Sequence, residues 1–416
     1  MDGTRLAGRA VAVEPALCSR LRTPRSACAT CAEVCPAGAI RITDEGAAIV
    51  GNCDGCGVCF AACPNGAFRI RGRDDHAILT GIRDRCRPPL SEFRIRCARG
   101  DAPADLALPC LGRLTEVMLL EPLRLGAAVT EILEPPCEAC PSARAVSQLG
   151  KLLRGTRALC ELLGRGADAI RQRRVPLRRL PARTEHSVTR RDFLRVMESQ
   201  TTGLAAASLP ASSGPTERAG RSFRELLAQR RDSPKRRFLL ECLRGFGPTP
   251  AGAPERVPVP SPPAVEVPSR DAIFAELRAT NQCTGCGVCA TLCPTGALTA
   301  RWVDRQFVLD FRPWACTNCQ VCVIVCRPQA IHSRETARVD RLLRAQEVRL
   351  LQVQGATCRF CLAAFPADGT ETCPLCTDRH RKQQAALQAL FKEREPWIER
   401  RQENAKSITA PSQAST

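Results

Sequence analysis

The chain has 416 residues, of which 27 are cysteine, and its formal net charge is +19. Aromatic residues make up only 4% and tyrosine is absent, so we expect modest hydrophobic cores in which bound metal replaces part of the packing. The charge does not by itself indicate a nucleic-acid-binding protein, because metal-bound thiolates would cancel roughly 12 of the positive charges.

The chain shows no secretory signal at its start and no apolar run long enough to span a membrane. Closely spaced cysteines without such a signal are typical of metal binding in a reducing compartment rather than of disulfides. We therefore expect a cytoplasmic protein whose cysteines hold metal.

Residues 1–80 contain a run of four cysteines, CDGCGVCFAACPNGAF, that starts at Cys53. Its spacing, C-x2-C-x2-C-x3-C, resembles that of the bacterial-type 4Fe-4S dicluster ferredoxins. In that family one motif supplies three ligands to one cluster, and the fourth comes from the other motif. Zinc sites typically stop at C-x2-C, so the spacing favours iron–sulfur over zinc or a disulfide framework.

The upstream half of this first array departs from the pattern, because its first ligand position falls on Arg25. We expect Cys18 to fill the vacancy through an expanded loop; a three-cysteine site or recruitment of Cys86 are the alternatives. One cluster would then be held by Cys18, Cys28, Cys31 and Cys63, and the other by Cys53, Cys56, Cys59 and Cys35. Between the motifs, residues 39–50 predict a short hairpin that turns at Asp44-Glu45-Gly46.

Residues 86–165 predict a small open α/β sheet with cysteines near the strand ends. The sequences EFRIRC, ADLALPC and AAVTEILE predict strands, and a helix between the last two has Thr115 as its candidate N-cap. Ligands gather beyond the carboxyl ends of strands in such sheets, so we expect four cysteines to converge there. They are Cys97, Cys110, Cys137 and Cys140.

This segment resembles the delta subunit of methyl-viologen-reducing hydrogenases. The shared features are a cysteine near the end of the first strand, P-C-x-G-R at Pro109–Arg113 and a later cysteine pair. The resemblance implies a 2Fe-2S cluster and hydrogenase or disulfide-reductase partners. It departs at Cys97, which stands alone where the family tends to have a close pair, so zinc or no metal stay open as alternatives.

Residues 166–270 are predicted to be a basic, Pro-rich linker. Thr189–Arg195 matches the twin-arginine export motif, but it lies far from the N-terminus, where such signals act. The alternatives are a capped amphipathic helix over Arg190–Glu198, or a docking element similar to the Arg-Arg-x-x-Leu run in the cytoplasmic ferredoxins of periplasmic nitrate reductase operons. Cytoplasmic location is preferred to export.

Residues 271–335 are predicted to be a second dicluster ferredoxin, with the C-x2-C-x2-C-x3-C run present twice. Its last motif has Arg327-Pro328-Gln329 where Pro-x-Gly is usual, which puts the turn geometry in doubt more than the cluster. One cluster would be held by Cys283, Cys286, Cys289 and Cys326, and the other by Cys316, Cys319, Cys322 and Cys293.

Residues 336–390 are predicted to begin with a helix over 338–353 and to end in a closed tetrahedral metal site. Two C-x2-C pairs eleven residues apart are typical of structural zinc, with mononuclear iron as the alternative. The expected ligands are Cys358, Cys361, Cys373 and Cys376. Residues 391–416 are polar and predicted to be a disordered tail. Of the leftover cysteines, Cys160 and Cys242 lie in apolar helical contexts and are expected to be buried.

The sequence thus predicts an α+β protein in which two dicluster ferredoxin-like domains flank a small α/β open-sheet domain, with a C-terminal zinc-ribbon-like knuckle. It contains no Gly-rich dinucleotide motif and no P-loop, so no small-molecule substrate or catalytic site of its own is expected. The leading hypothesis is a polyferredoxin that carries electrons between oxidoreductase partners such as hydrogenase, disulfide reductase or formate dehydrogenase. The alternative is a non-redox interaction or maturation protein with structural clusters; nucleic-acid binding is not favoured.

Overall fold

The computed structural model describes residues 11–178, 225, 227, 229, 232–246 and 265–390, apart from 44–45, 73, 88–89 and 368. The twin-arginine motif, most of the Pro-rich linker and the tail after residue 390 lie outside the described residues. Within the part described, no helix is long and apolar enough to cross a membrane.

The first ferredoxin-type unit is built from two antiparallel strand pairs and three short helices. Strand β1 (Val11–Val13) pairs with β4 (Phe68–Ile70), so the two ends of the unit meet. The predicted hairpin is confirmed as β2 (Ile40–Thr43) and β3 (Gly46–Ile49). The helices are α1 (Ser19–Arg22), α2 (Thr30–Glu33) and α3 (Val58–Ala62).

A four-stranded parallel sheet lies in the middle of the chain, in the order β6-β5-β7-β8. Its side chains form a continuous core with the helices, in which Phe93, Ile95 and Ile132 are completely buried. The strands are β5 (Glu92–Cys97), β6 (Leu106–Leu108), β7 (Val129–Glu134) and β8 (Ile170–Arg174). The helices are α4 (Asp75–Arg85), α5 (Glu116–Arg124) and α6 (Leu149–Leu162).

The interpretation of residues 166–270 as a linker was wrong at its start, where residues 170–174 form a strand, and within it, where residues 234–244 form a helix. Strand β8 forms the edge of the parallel sheet, although its sequence IRQRR is nearly all polar, because only Ile170 faces the core. Helix α7 (Pro234–Arg244) is capped by the Ser233 hydroxyl and packs Leu239, Cys242 and Leu243 into the same core. Arg171, Arg173 and Arg174 of β8 are exposed, whereas Arg236 of helix α7 is buried.

The second ferredoxin-type unit repeats the strand pairing of the first. Strand β10 (Leu277–Ala279) pairs with β13 (Ile331–Ser333), and β11 (Leu298–Val303) forms a hairpin with β12 (Gln306–Phe311). Helices α8 (Val288–Leu292) and α9 (Val321–Val325) follow the two cysteine loops. A further pair, β9 (Glu266–Pro268) and β14 (Thr336–Arg338), flanks the unit.

The helix predicted over residues 338–353 was also wrong. Only Val339–Leu342 is helical, as a 3-10 turn, and β15 (Val348–Thr357) is a ten-residue strand paired with β12. Val348 and Leu350 alternate before a register shift, Leu351 and Val353 alternate after it, and all four pack on the ferredoxin core. On either side of the shift, the period of two prevailed over helix propensity. Strand β16 (Ala364–Pro366) completes a four-stranded antiparallel sheet, and helix α10 covers 374–390.

Candidate metal centres

The cysteine loops depend on backbone in the left-handed conformation at two fixed positions. In the second and third motifs these positions are Gly55, Gly57, Gly285 and Gly287, with φ between 66° and 78°. In the last motif they are Asn318 and Gln320, at φ 57° and 60°. The loop geometry is therefore retained without glycine, at a conformational cost of about 1–2 kcal/mol per residue.

Hydrogen bonds from these two side chains offset part of that cost. Asn318 Nδ2 donates to the carbonyl oxygens of Ser269 and Ala272, at 3.1 and 3.0 Å. Gln320 Nε2 donates to Asn318 Oδ1 at 2.5 Å, and the Ser333 hydroxyl donates to Gln320 Oε1 at 2.9 Å. The last cysteine loop is thus fastened to strands β9 and β13 by its own side chains.

The turn after Cys326, doubtful from the sequence, has the same form as its counterparts. Gln329 adopts φ 52°, where Gly38, Gly66 and Gly296 occupy the equivalent position with φ from 60° to 66°. The amide of Ala330 donates to the sulfur of Cys326 at 3.2 Å. Equivalent bonds join Ala39 to Cys35 and Ala67 to Cys63, at 3.3 and 3.4 Å.

In the first ferredoxin the structure brings the eight predicted cysteines into two groups. Burial, together with the nearby Cys63, Cys28 and Cys18, raises the pKa of Cys31 to about 12. Cys18 therefore lies beside the group that lacked a first ligand, whereas Cys86 lies in the core of the middle sheet. Burial likewise raises the pKa of Cys59, with Cys56 and Cys53 as neighbours, and Cys35 adjoins Cys56.

The second ferredoxin shows the same division. Burial raises the pKa of Cys289 to about 12, with contributions from Cys286, Cys283 and Cys326. Burial raises the pKa of Cys322 well above its ordinary value, and Cys319, Cys316 and Cys293 add to it. Thiols this reluctant to ionise alone are suited to binding a cation that compensates their charge.

The four middle cysteines converge at the carboxyl edge of the parallel sheet. Cys97 ends β5, Cys110 follows β6, and Cys137 and Cys140 follow β7. Burial, together with Glu134 and the other three cysteines, raises the pKa of Cys137 to about 12. The amides of Gly112 and Ser142 donate to the sulfurs of Cys110 and Cys140, at 3.4 and 3.5 Å. The edge thus offers four sulfurs to one metal centre.

Arg113, the last residue of the P-C-x-G-R motif, joins this sheet to the first ferredoxin. Its buried guanidinium pairs with Asp75 at 2.5 Å and lies 5.1 Å from the centre of the Phe60 ring. A Cβ atom at Gly57 would lie 2.5 Å from Arg113 Nε, so glycine is required there by close approach as well as by φ. Arg113 therefore touches a cysteine loop of the first ferredoxin.

The cysteines of the C-terminal knuckle form the tightest group. Within the described part of the chain, Cys358, Cys361, Cys373 and Cys376 are the one set of candidate ligands whose donor atoms all lie within 4.8 Å of one another. The amides of Cys373 and Cys361 lower the pKa of Cys358 by donating to its sulfur. This arrangement fits a single tetrahedral ion.

The two ferredoxins touch through the turns that carry their cysteines. Thr317 Oγ1 donates to Asn65 Oδ1 at 2.5 Å, and both residues are buried. Asn65 Nδ2 also donates to the Leu17 carbonyl at 2.7 Å and to the Ser19 hydroxyl at 2.9 Å, on either side of Cys18. Sequence reasoning missed this contact, since nothing local marks Asn65 or Thr317 as partners.

Helix α7 fastens the same junction from the side. Lys235 Nζ donates to the carbonyl of Ala61 at 2.6 Å, in the first ferredoxin. Arg236 Nη2 donates to the carbonyl of Cys316 at 2.6 Å and also to that of Ile273, in the second. The only signal in the sequence was a capped apolar–basic stretch after Ser233, which the polar surroundings obscured.

Comparison with family models identifies the two ferredoxin units. Two models, each described as a 4Fe-4S dicluster domain, match residues 26–68 and residues 282–331. The comparison with curated proteins found no match. The chain thus contains two 4Fe-4S dicluster domains, and these mark it as an iron–sulfur protein of the electron-transfer type. The matches leave the middle sheet and the C-terminal knuckle outside their ranges.

Proposed function

We propose that the protein is a polyferredoxin that conducts electrons between partner oxidoreductases through one continuous series of iron–sulfur centres. The observation that carries the proposal is the Asn65–Thr317 hydrogen bond, which joins the cysteine turns of the two ferredoxins. Each 4Fe-4S cluster, when bound, supplies a one-electron redox centre. The protein's part is to hold these centres close together and away from water.

The ligands proposed for the four clusters are those that the structure groups. Cys18, Cys28, Cys31 and Cys63 would hold one cluster, and Cys53, Cys56, Cys59 and Cys35 the next. In the second ferredoxin, Cys316, Cys319, Cys322 and Cys293 would hold one, and Cys283, Cys286, Cys289 and Cys326 the other. Buried N–H groups that donate to cysteine sulfurs would stabilise the anionic ligands.

The middle cysteines are proposed to hold a 2Fe-2S cluster. A single zinc ion with Zn–S bonds near 2.3 Å would hold its sulfurs about 3.8 Å apart. The knuckle sulfurs approach this spacing, whereas no three sulfurs of Cys97, Cys110, Cys137 and Cys140 gather within 4.8 Å of one another. The wider spacing favours a two-iron centre in the sheet and zinc in the knuckle.

The contacts arrange these sites in a definite order. Cys110 of the middle site and Cys56 pack on the same small apolar cluster, formed by Val34, Val58 and Ala145. Within the first ferredoxin, Cys31 adds to the raised pKa of Cys59, so the two groups adjoin. The hydrogen bond between Asn65 and Thr317 then joins the first ferredoxin to the second.

The series ends at an exposed ligand. Cys289 adds to the raised pKa of Cys322, so the last two groups also adjoin, and the last group includes the solvent-exposed Cys286. Beside it the apolar side chains of Val288 and Ile324 are about 40% exposed, as befits a surface that a partner protein covers. We place electron exchange with a partner oxidoreductase at this end.

The second candidate is a non-redox protein in which the metal centres only stabilise the fold. The closed knuckle, whose four sulfurs fit a single tetrahedral ion, is the observation that favours such a role for at least that site. It does not account for five cysteine groups placed in sequence from the middle sheet to an exposed ligand.

Low-temperature EPR of anaerobically purified protein, titrated with dithionite, tests the proposal. We expect roughly five one-electron centres per chain and rapid transfer from the reduced protein to an external acceptor. Centres that never become reduced, or that become reduced without passing electrons on, would reject the electron-transfer function in favour of the structural one.

A further inference from the structure

Arg236 has an environment that its protein neighbours do not explain. Its side chain is buried, yet Nε and Nη1 have no hydrogen-bond partner, and among the described residues no carboxylate forms an ion pair with it. Burying a cation without a counter-charge is costly unless something nearby supplies one. The guanidinium is held by Nη2 alone, through the carbonyl oxygens of Ile273 and Cys316.

The guanidinium of Arg236 faces the cysteine loop that begins at Cys316, and a cluster bound there would supply the counter-charge. The Cys316 carbonyl accepts the hydrogen bond from Nη2. Cys316 is also the first proposed ligand of the cluster that Cys319, Cys322 and Cys293 would share. A 4Fe-4S core with four thiolates carries a charge of about −2, and one more negative charge after reduction.

We propose that Arg236 is a potential-setting residue, which raises the reduction potential of the cluster held by Cys316, Cys319, Cys322 and Cys293. This inference rests on the proposed electron-transfer function. A fixed positive charge favours the more negative, reduced state, and the buried site screens it little. The effect falls on the cluster at the Asn65–Thr317 junction, so helix α7 sets the direction in which electrons cross from the first ferredoxin to the second.

The test is an EPR-monitored redox titration of the holoprotein carrying Arg236→Gln. We expect the ratio of reduced to oxidised cluster at a fixed potential to fall about tenfold, or about 59 mV for a one-electron couple. The shift should affect only one EPR signal, namely the one that changes in the Cys319→Ser variant, because Cys319 is a proposed ligand of this cluster. Arg236→Lys, which keeps the charge, should retain the wild-type potential.

Arg237→Gln is the matched control, because Arg237 is the next residue of the same helix and its side chain is 57% exposed. It should leave every potential unchanged. Where Arg236→Gln fails to take up iron, Arg236→Met keeps the buried stem and serves in its place. If the reduction potential of this cluster stays at the wild-type value in Arg236→Gln or Arg236→Met, the inference is overturned. An equal shift in the reduction potentials of all clusters overturns it as well. Reducible clusters with an unmoved potential would leave the electron-transfer function intact.

Discussion

The hydroxyl of Thr317 donates to the side-chain oxygen of Asn65 across 252 residues of sequence, and this bond joins the two ferredoxins. Thr317 directly follows Cys316, and Asn65 lies two residues after Cys63, so each partner belongs to a cysteine turn. Two ferredoxins on one chain need not communicate. Here their turns meet in a buried contact, and Lys235 and Arg236 of helix α7 fasten both sides of it.

Thr317→Val should destabilise this junction, because valine matches the shape of threonine but leaves Asn65 Oδ1 buried without its donor. We expect the free energy of unfolding to fall by about 1–3 kcal/mol. Denaturant titration followed by circular dichroism measures the change. Thr80→Val is the control, since Thr80 is exposed and bonds only within its own helix; an equal loss in both variants would contradict a special role for the junction.

Gln329→Gly should stabilise the protein, because glycine adopts the left-handed conformation at φ 52° without the strain of a side chain. We expect a gain of about 1 kcal/mol in the free energy of unfolding. Gln320→Gly relieves similar strain but loses the bonds to Asn318 and Ser333, so no net gain is expected there. Thermal melting of both variants checks the difference, and an equal gain would show that the Gln320 bonds contribute nothing.

Asp75→Asn should be strongly destabilising, because it removes a fully buried negative charge from beside the buried Arg113 guanidinium. Loss of one partner of such a pair costs about 3–5 kcal/mol. The neighbouring Asp74 caps the same helix from an exposed position, and asparagine caps as well as aspartate, so Asp74→Asn should be nearly neutral. Equilibrium unfolding of the two variants would reveal whether they differ as stated.

Metal analysis should give roughly eighteen iron atoms and one zinc per chain, from four cubes, one 2Fe-2S centre and one zinc knuckle. Inductively coupled plasma spectrometry and sulfide assay of anaerobically purified protein provide the count. About sixteen iron atoms with two zinc would reject the iron site in the middle sheet and place zinc there.

Cys376→Ser should remove the zinc and leave the iron content unchanged, because its sulfur belongs to the knuckle group alone. The loss should loosen β16, because Phe365 of that strand packs on the knuckle cysteines. Hydrogen exchange at residues 355–366 would show this as faster exchange, while the ferredoxin strands β10 and β13 stay protected. Iron lost together with zinc would mean that the knuckle supports the second ferredoxin.

Much of the local structure was predictable, because cysteine spacing and apolar alternation are local signals. The four-cysteine runs predicted both dicluster domains. EFRIRC predicted a strand that the structure shows with the same bounds, and AAVTEILE predicted one that begins two residues later, at Val129. The burial of Cys160 and Cys242 followed from their apolar surroundings and is confirmed. Residues 348–357 were misjudged, because a short stretch rich in Leu and Arg suits a helix until a neighbouring strand offers it an edge.

The sequence alone determined where the two 4Fe-4S dicluster domains lie, since cysteine spacing is a local property of the chain. It did not determine how the units meet. The polar strand β8, the position of α7 and the bond between Asn65 and Thr317 depend on surfaces brought together from distant segments. Only the tertiary structure decided that two separate ferredoxins share one buried junction, because such contacts gain their energy from burial between segments and leave no periodic mark in either one.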